Sequence, residues 1–272
     1  MTAYMDHKNL ANEVIDDARA REITDGVHRV LDRIVAAEEQ AGREAGSVRL
    51  LAATKTRDIG EIMAAIDAGV RMIGENRPQE VTAKAEGLAR RCAERGFSLG
   101  VAGVAPDAAA EHIPFHLIGQ LQSNKIGKVL PVVDTIESVD SIDLAEKISR
   151  RAVARGITVG VLLEVNESGE ESISGCDPAH AIRIAQKIGT LDGIELQGLM
   201  TIGAHVHDDM VIRRGFSHLR KTRDLILASG EPGTDRCREL SMGMTGDMEL
   251  AIAEGSTIVR VGTAIFGERA FI

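Results

Sequence analysis

At 272 residues, with 44% apolar and 27% charged side chains, the chain has ordinary globular composition and is long enough for one barrel or two small domains. Its net charge of −9 disfavours a nucleic-acid or anionic-membrane surface, while a local basic pocket for a phosphate stays compatible with it. Cys92, Cys176 and Cys237 are odd in number and far apart, which suggests neither a disulfide framework nor a zinc site and fits a reducing compartment. No apolar run reaches membrane-span length and residues 1–20 are charged throughout, so a cytoplasmic protein is expected. Tryptophan is absent and Tyr4 is the single tyrosine, which argues further against a single-strand nucleic-acid platform.

Residues 16–45 read as a helix, because Ile23, Val27, Val30, Leu31, Ile34 and Val35 recur at helical spacing; Thr24 or Asp25 would cap it and Gly42 or Gly46 would end it. The pattern then changes to a buried strand at 48–54, followed by a helix at 59–68 that Gly69 closes. That pair recurs. Residues 71–74 form a second strand, with Pro78 at the start of its helix. Residues 90–112, with Gly96, Gly100, Gly103 and Pro106, read as a helix end and a mobile connection. Strands at 115–119 and 134–139 are followed by helices at 123–130 and 141–155. Val-Gly-Val-Leu-Leu-Glu-Val at 159–165 is apolar enough for a strand covered on both faces, with its helix at 178–188. The remaining strands are 196–202, 239–242 and 257–261, with helices at 210–227 and 247–253 between them.

Eight strands alternating with helices predict a (β/α)8 TIM barrel with an extra N-terminal helix, as one domain spanning 1–272 with residues 1–46 as tail and added helix. An open doubly wound sheet is the alternative, weakened by the absence of a glycine-rich dinucleotide turn.

In such a barrel the chemistry gathers at the C-terminal ends of the strands. Lys55 ends the first strand, where Leu50, Leu51, Ala52 and Ala53 would screen its amine and favour nucleophilic attack on a carbonyl. The plainer reading is a lysine that ends a strand in solvent. Other strand ends offer Glu75-Asn76, His116, Gly119-Gln120, Glu164, Asn166 and Met200-Thr201. Ser241-Met242-Gly243-Met244-Thr245-Gly246-Asp247 and Arg260-Val261-Gly262-Thr263 combine hydroxyls with glycine backbone, suited to an anion between the last two loops. Alone, either segment could simply be a tight turn.

Because the first and eighth strands of a closed barrel are neighbours, Lys55 and this cup could share a ligand with both an aldehyde and a phosphate. Pyridoxal 5′-phosphate (PLP) is one such ligand, and a sugar phosphate in an aldolase is another. His205-Val206-His207-Asp208-Asp209 has metal-like spacing, but a polar loop explains it more simply. His116 reads as a hydrogen-bonded core histidine and Cys176 as a loop thiol.

The chain resembles the pyridoxal-phosphate homeostasis proteins, which look like a stand-alone N-terminal barrel of alanine racemase (PLP fold type III). The resemblance rests on Ala53-Thr54-Lys55-Thr56, Ile73-Gly74-Glu75-Asn76 with Gln79-Glu80, and above all Phe115-His116-Leu117-Ile118-Gly119-Gln120-Leu121-Gln122-Ser123-Asn124-Lys125. Gly198-Leu199-Met200, Leu240-Ser241-Met242-Gly243-Met244 with Asp247-Met248, and the run from Val259 to Gly267 carry it to the C-terminus. The segment 95–111 and the loop 205–209 have no counterpart in it.

The resemblance implies Lys55 as the Schiff-base lysine, Asn76 as a polar contact near the ring and Arg260 as the partner of the pyridine nitrogen. Thr245, Gly262 and Thr263 would form the phosphate cup, with Met200, Ser241 and Gly243 as further cofactor-binding residues. Thr245 stands where the family usually has serine. An arginine only donates, so the ring nitrogen it faces stays unprotonated and the ring is a poor electron sink. Racemisation needs a second acid/base opposite the lysine, and Tyr4 is the only tyrosine. The expectation is a monomeric PLP carrier with little or no turnover, serving PLP-dependent apoenzymes, with an amino-acid racemase as the alternative.

Overall fold

In the computed structural model, which describes residues 8–101 and 110–268, the first regular element is α1 (Asp17–Gln40). Its cap is Asp16, whose carboxylate accepts from the Arg19 N–H, and not Thr24 or Asp25. Thr24 lies inside the helix and donates its hydroxyl to the Ala20 carbonyl. Ile23, Val27, Val30 and Ile34 form the buried face, whereas Val35 points to solvent at 55% exposure. The helix lies along α2 (Ile59–Asp67), α8 (Met248–Ala253) and α9 (Thr263–Phe266). Contact with α9 is backbone-close: a Cβ on Gly26 would stand 2.5 Å from the Ile265 carbonyl oxygen.

Then strand and helix alternate. The strands are β1 (Arg49–Ala53), β2 (Ile73–Glu75), β3 (Phe97–Leu99), β4 (Glu111–Ile113) and β5 (Phe115–Leu117). After them come β6 (Thr135–Val139), β7 (Val159–Glu164), β8 (Ile194–Met200), β9 (Glu239–Ser241) and β10 (Ile258–Val261). Between them run α3 (Pro78–Ala93), α4 (Ile126–Val129), α5 (Ile142–Ala154), α6 (Ala181–Gly189) and α7 (Asp209–Ala228). All but β3 and β4 close into a parallel barrel in the order β1-β10-β9-β8-β7-β6-β5-β2. The closing ladder sets Leu51 opposite Arg260 and Ala52 opposite Val261, so the first and eighth barrel strands are neighbours as expected.

The segment read as a connection contains a small sheet of its own, since β3 and β4 pair in parallel with Ser98 opposite His112. Three-residue strands are too short to show a period, which is why the sequence reads as loop there. Tyr4 lies outside the described residues, as do 102–109 within that connection.

Two buried layers result. Isoleucine, leucine, valine and phenylalanine from the helices and outward strand faces make one continuous core around the barrel. The lumen holds a small apolar cluster, Leu51, Met72 and Ile258 with Ile118 beside it, and the buried Leu162 and Met200 line its two mouths. His116, Glu137, Ser241 and Arg260 are also buried, at 5, 0, 0 and 5% exposure. Glu137 on β6 meets Ser241 on β9 although β7 and β8 separate those strands in the sheet, so the contact crosses the lumen. The three cysteines are buried, Cys176 included, and burial pushes their thiols up, Cys92 to about 11 and Cys176 and Cys237 to about 12. Among the described residues no helix is long and apolar enough to cross a membrane.

Candidate functional site

Lys55 stands in a turn held from below. Thr54 continues the β1 ladder by donating its N–H to the Gly74 carbonyl, and its hydroxyl donates to Glu75 Oε1 at 2.6 Å. On the other side the Thr56 N–H donates to Glu80 Oε2 at 2.7 Å, and Thr56 takes a φ of +63°, a left-handed conformation that strains a β-branched residue. Lys84, fully buried, ties these partners together by donating to Glu75 Oε1 at 2.5 Å, Glu80 Oε2 at 3.0 Å and the Thr54 carbonyl at 3.0 Å. Two carboxylates share one ammonium. Burial pushes Glu75 up to about 7, against the pull of Lys84 and with the push of Glu80. The backbone on both sides of Lys55 is therefore anchored to a buried charge cluster while Lys55 itself reaches the surface of a cavity.

That cavity, about 640 Å³, occupies the C-terminal mouth of the barrel. Of the predicted site residues, Lys55, Asn76, Met200, Thr245, Arg260, Gly262 and Thr263 line it together. Asn76 Oδ1 is buried without a hydrogen-bond partner. An acceptor left in that state calls for a donor from a ligand or water.

Ser241 and Gly243 are absent from the wall. Ser241 lies beneath it: Arg260 Nη1 donates to Ser241 Oγ at 2.8 Å, and Nη2 donates to the Thr201 carbonyl at 2.9 Å. Gly243, at φ +97°, packs under α8, where a Cβ would stand 2.6 Å from that of Ala251; its carbonyl accepts the Arg260 N–H. Both act on Arg260 and not on the cavity.

Burial and local hydrogen bonds set the ionisation of the carboxyls around Arg260, whose charge adds to them. Burial pushes Glu137 up, but hydrogen bonds from His116 and Ser241, with the charges of His116 and Arg260, outweigh it and hold the carboxyl below its usual range. Burial raises Glu164, which Ser174 and Arg260 only partly offset, and it raises Asp247, which accepts the Met244 N–H at 2.6 Å. His116 is the hydrogen-bonded core histidine expected, with Nδ1 2.7 Å from Glu137 Oε1.

Several lining residues escaped the sequence reading. Arg57 reaches the wall beside Gly267, donating to its carbonyl at 2.8 Å. Ser172 and Ser174 come from the loop after β7, where Asn166 Nδ2 holds the Glu170 and Ile173 carbonyls. No periodicity marks that loop; its run of small polar residues after a strongly apolar strand was the one available signal. His205 also lines the cavity, its backbone N–H bonded to Glu170, while Asp208 caps α7. Among the described residues no cluster of His, Cys, Asp and Glu is placed to hold a metal ion.

Residues 31–270 match the alanine racemase, N-terminal domain family. A pyridoxal phosphate homeostasis protein of Vibrio cholerae is 37% identical over 92% of this chain and 97% of its own. A crystal structure of an unknown protein from Bifidobacterium adolescentis is 96% identical, with a TM-score of 0.92 over 95% of this chain and 100% of that one. PipY of Synechococcus elongatus, solved with PLP bound, is 32% identical, with a TM-score of 0.65 over 86% of this chain and 100% of that one.

Proposed function

This chain belongs to the pyridoxal phosphate homeostasis protein family, on the alanine racemase N-terminal fold, and from that premise we propose that it binds PLP in the C-terminal mouth and manages its supply. The observation that carries the reading is one cavity lined together by Lys55, Arg260 and Asn76, the last with a buried side-chain oxygen that has no partner. The residues fit the cofactor: an amine for an aldehyde, a fixed donor for a ring nitrogen, a lone acceptor, and hydroxyls with glycine backbone for a phosphate.

When bound, PLP supplies an aldehyde that condenses with amines and a ring that can draw charge from them. Lys55 would provide the amine that tethers the aldehyde. Thr245, Gly262 and Thr263 offer hydroxyl and backbone N–H donors to the phosphate, with Arg57 contributing positive charge to the same wall. Met200 supplies an apolar surface for the ring, and Asn76 accepts a donor at its edge. Ser241 and Gly243 support Arg260 from behind. Arg260 donates and cannot accept, so the ring nitrogen stays unprotonated and withdraws electrons weakly.

Weak withdrawal argues for holding over turnover. The whole chain, 1–272, is read as one binding unit, a cytoplasmic monomer that passes PLP to apoenzymes; an amino-acid racemase is the competing reading. Purified protein with added PLP should show a visible band above 400 nm, roughly, that Lys55→Ala abolishes, and borohydride should fix it to Lys55. A wild type that stays colourless with excess PLP overturns the reading. Turnover of alanine or serine at ordinary enzyme rates, on the order of 1–1000 per second, would establish the racemase instead.

A further inference from the structure

A barrel lumen is ordinarily filled by layers of branched apolar residues. Here its middle is a hydrogen-bonded chain. Arg260 Nη1 donates to Ser241 Oγ at 2.8 Å, Ser241 Oγ donates to Glu137 Oε2 at 2.6 Å, and His116 Nδ1 lies 2.7 Å from Glu137 Oε1. The chain has one direction. Ser241 has a single hydroxyl proton and gives it to a carboxylate, so the lone pair of that oxygen is what faces the guanidinium. An ionised Glu137 only accepts, so His116 carries its proton on Nδ1. Its other ring edge belongs to a second cavity of about 580 Å³, at the N-terminal mouth, which His116 lines with Arg49, Gln197, Arg236 and Glu239.

We propose that His116, Glu137 and Ser241 are positioning residues that lock the Arg260 guanidinium in the orientation the cofactor ring requires and supply its counter-charge through the barrel. This rests on the PLP reading above. An arginine has a long side chain whose rotamer freedom must be suppressed to hold one orientation. The Thr201 carbonyl restrains one end of the guanidinium, and a neutral hydroxyl alone restrains the other without compensating its charge. Glu137 supplies that charge one bond further on, and His116 fixes Glu137 from the far side, across from β9. A buried polar chain used only as filling is replaceable by apolar residues with little loss of stability, so its retention for packing has no physical advantage. The four members come from β5, β6, β9 and β10; the backbone ladder already joins β5 to β6 and β9 to β10, and the Ser241–Glu137 bond braces those two pairs across the lumen.

The test compares full-length wild type with Ser241→Ala, Glu137→Gln, His116→Phe and His116→Asn, each loaded with PLP after its fold has been verified by circular dichroism and melting without PLP. The readouts are the absorption maximum of bound PLP and the rate at which an excess of a PLP-accepting apoenzyme removes it. Ser241→Ala and Glu137→Gln should displace the band and speed release about tenfold, the scale of one lost charge-assisted hydrogen bond. His116→Phe should act in the same direction more weakly, and His116→Asn, which keeps a donor near the Nδ1 position, should return towards wild type.

Arg260→Gln decides the mechanism of the effect. On that background Ser241→Ala should change band and release by less than about twofold, because residues acting through one another are non-additive. Equal effects of Ser241→Ala with and without Arg260 would overturn the proposal, as would unchanged band and release in folded Ser241→Ala and Glu137→Gln. Should either of those two fail to fold, the His116 pair decides: identical behaviour of His116→Phe and His116→Asn counts against it. A colourless wild type overturns the PLP reading itself, a result separate from a coloured wild type indifferent to Ser241.

Discussion

Around the strands, the layer beneath the helices is largely apolar, from Ile23 and Val27 on α1 to Phe216 and Leu219 on α7, and is interrupted under α3 by the buried Lys84, Glu75 and Glu80 cluster. Inside the strands, the lumen holds Leu51, Met72 and Ile258, with Leu162 and Met200 at its mouths, beside the buried polar groups His116, Glu137, Glu164, Ser241 and Arg260. Burial is nearly equal in the two places, and the chemistry is opposite. The outer layer removes hydrocarbon from water, which is non-directional and tolerant of exchange between similar shapes. The lumen desolvates charges, which is tolerable only when each finds a specific partner. Stability is therefore concentrated outside the sheet and ligand geometry inside it.

The largest break in that contrast is Lys84→Met, in the charge cluster under Lys55. It leaves Glu75 and Glu80 buried without their cation, and a loss of about 3–5 kcal/mol in denaturant unfolding is expected, with weakened PLP uptake because Thr54 and Thr56 lose their anchor. Phe216→Ala, in the outer layer, should cost a similar ~3–5 kcal/mol yet leave the PLP absorption maximum of the folded fraction unchanged. A displaced maximum in Phe216→Ala would show that the two layers are not separable.

Next in size is a pH effect. Glu75 is pushed up to about 7 by burial, above its value of 4.5 when exposed, so between those pH values the folded chain holds a proton that the unfolded chain releases. Stability from this group is full below pH 4.5 and falls as pH rises through about 7, by roughly 3 kcal/mol at most. Glu75→Gln imitates the protonated form and should flatten the melting-temperature profile over that interval; an unchanged slope would remove Glu75 as its source. Thr245→Ser keeps the hydroxyl that faces the proposed phosphate and should alter PLP affinity by less than about 1 kcal/mol, whereas Thr245→Ala should weaken it by about that amount. The smallest effect belongs to Val35→Gln on the solvent face of α1, within about 0.5 kcal/mol of wild type by denaturant titration.

Much of this arrangement is legible in the chain. Val159 to Val165 announces a covered strand, Pro78 opens α3, and Gly69 follows α2, because each signal acts through its immediate neighbours. Lys55, Asn76, Thr245 and Arg260 are legible as strand-end residues for the same reason. β3 and β4 are not, since three residues define no period and each pairs with a residue far along the chain, Phe97 with Glu111. Ser172, Ser174 and His205 are not, because a loop's path over the mouth follows from what it packs against. Ser241 shows the limit most clearly: its residue type suggested a ligand contact, and its position inside the lumen makes it a support for Arg260.

By itself, then, the amino-acid sequence determined the order of strands and helices, the barrel they close into and the identity of the amine and the guanidinium at its mouth. These depend on spacing, propensity and a distinctive run of residues, all local in the chain. Only the tertiary structure decided that Glu137 would meet Ser241, 104 residues away, and that Lys84 would carry the backbone beneath Lys55. The first contact exists because the Leu51 to Arg260 register closes the sheet, and closure turns inward-facing polar groups, unrelated along the chain, into partners; the second exists because α3 packs back on β1 and β2.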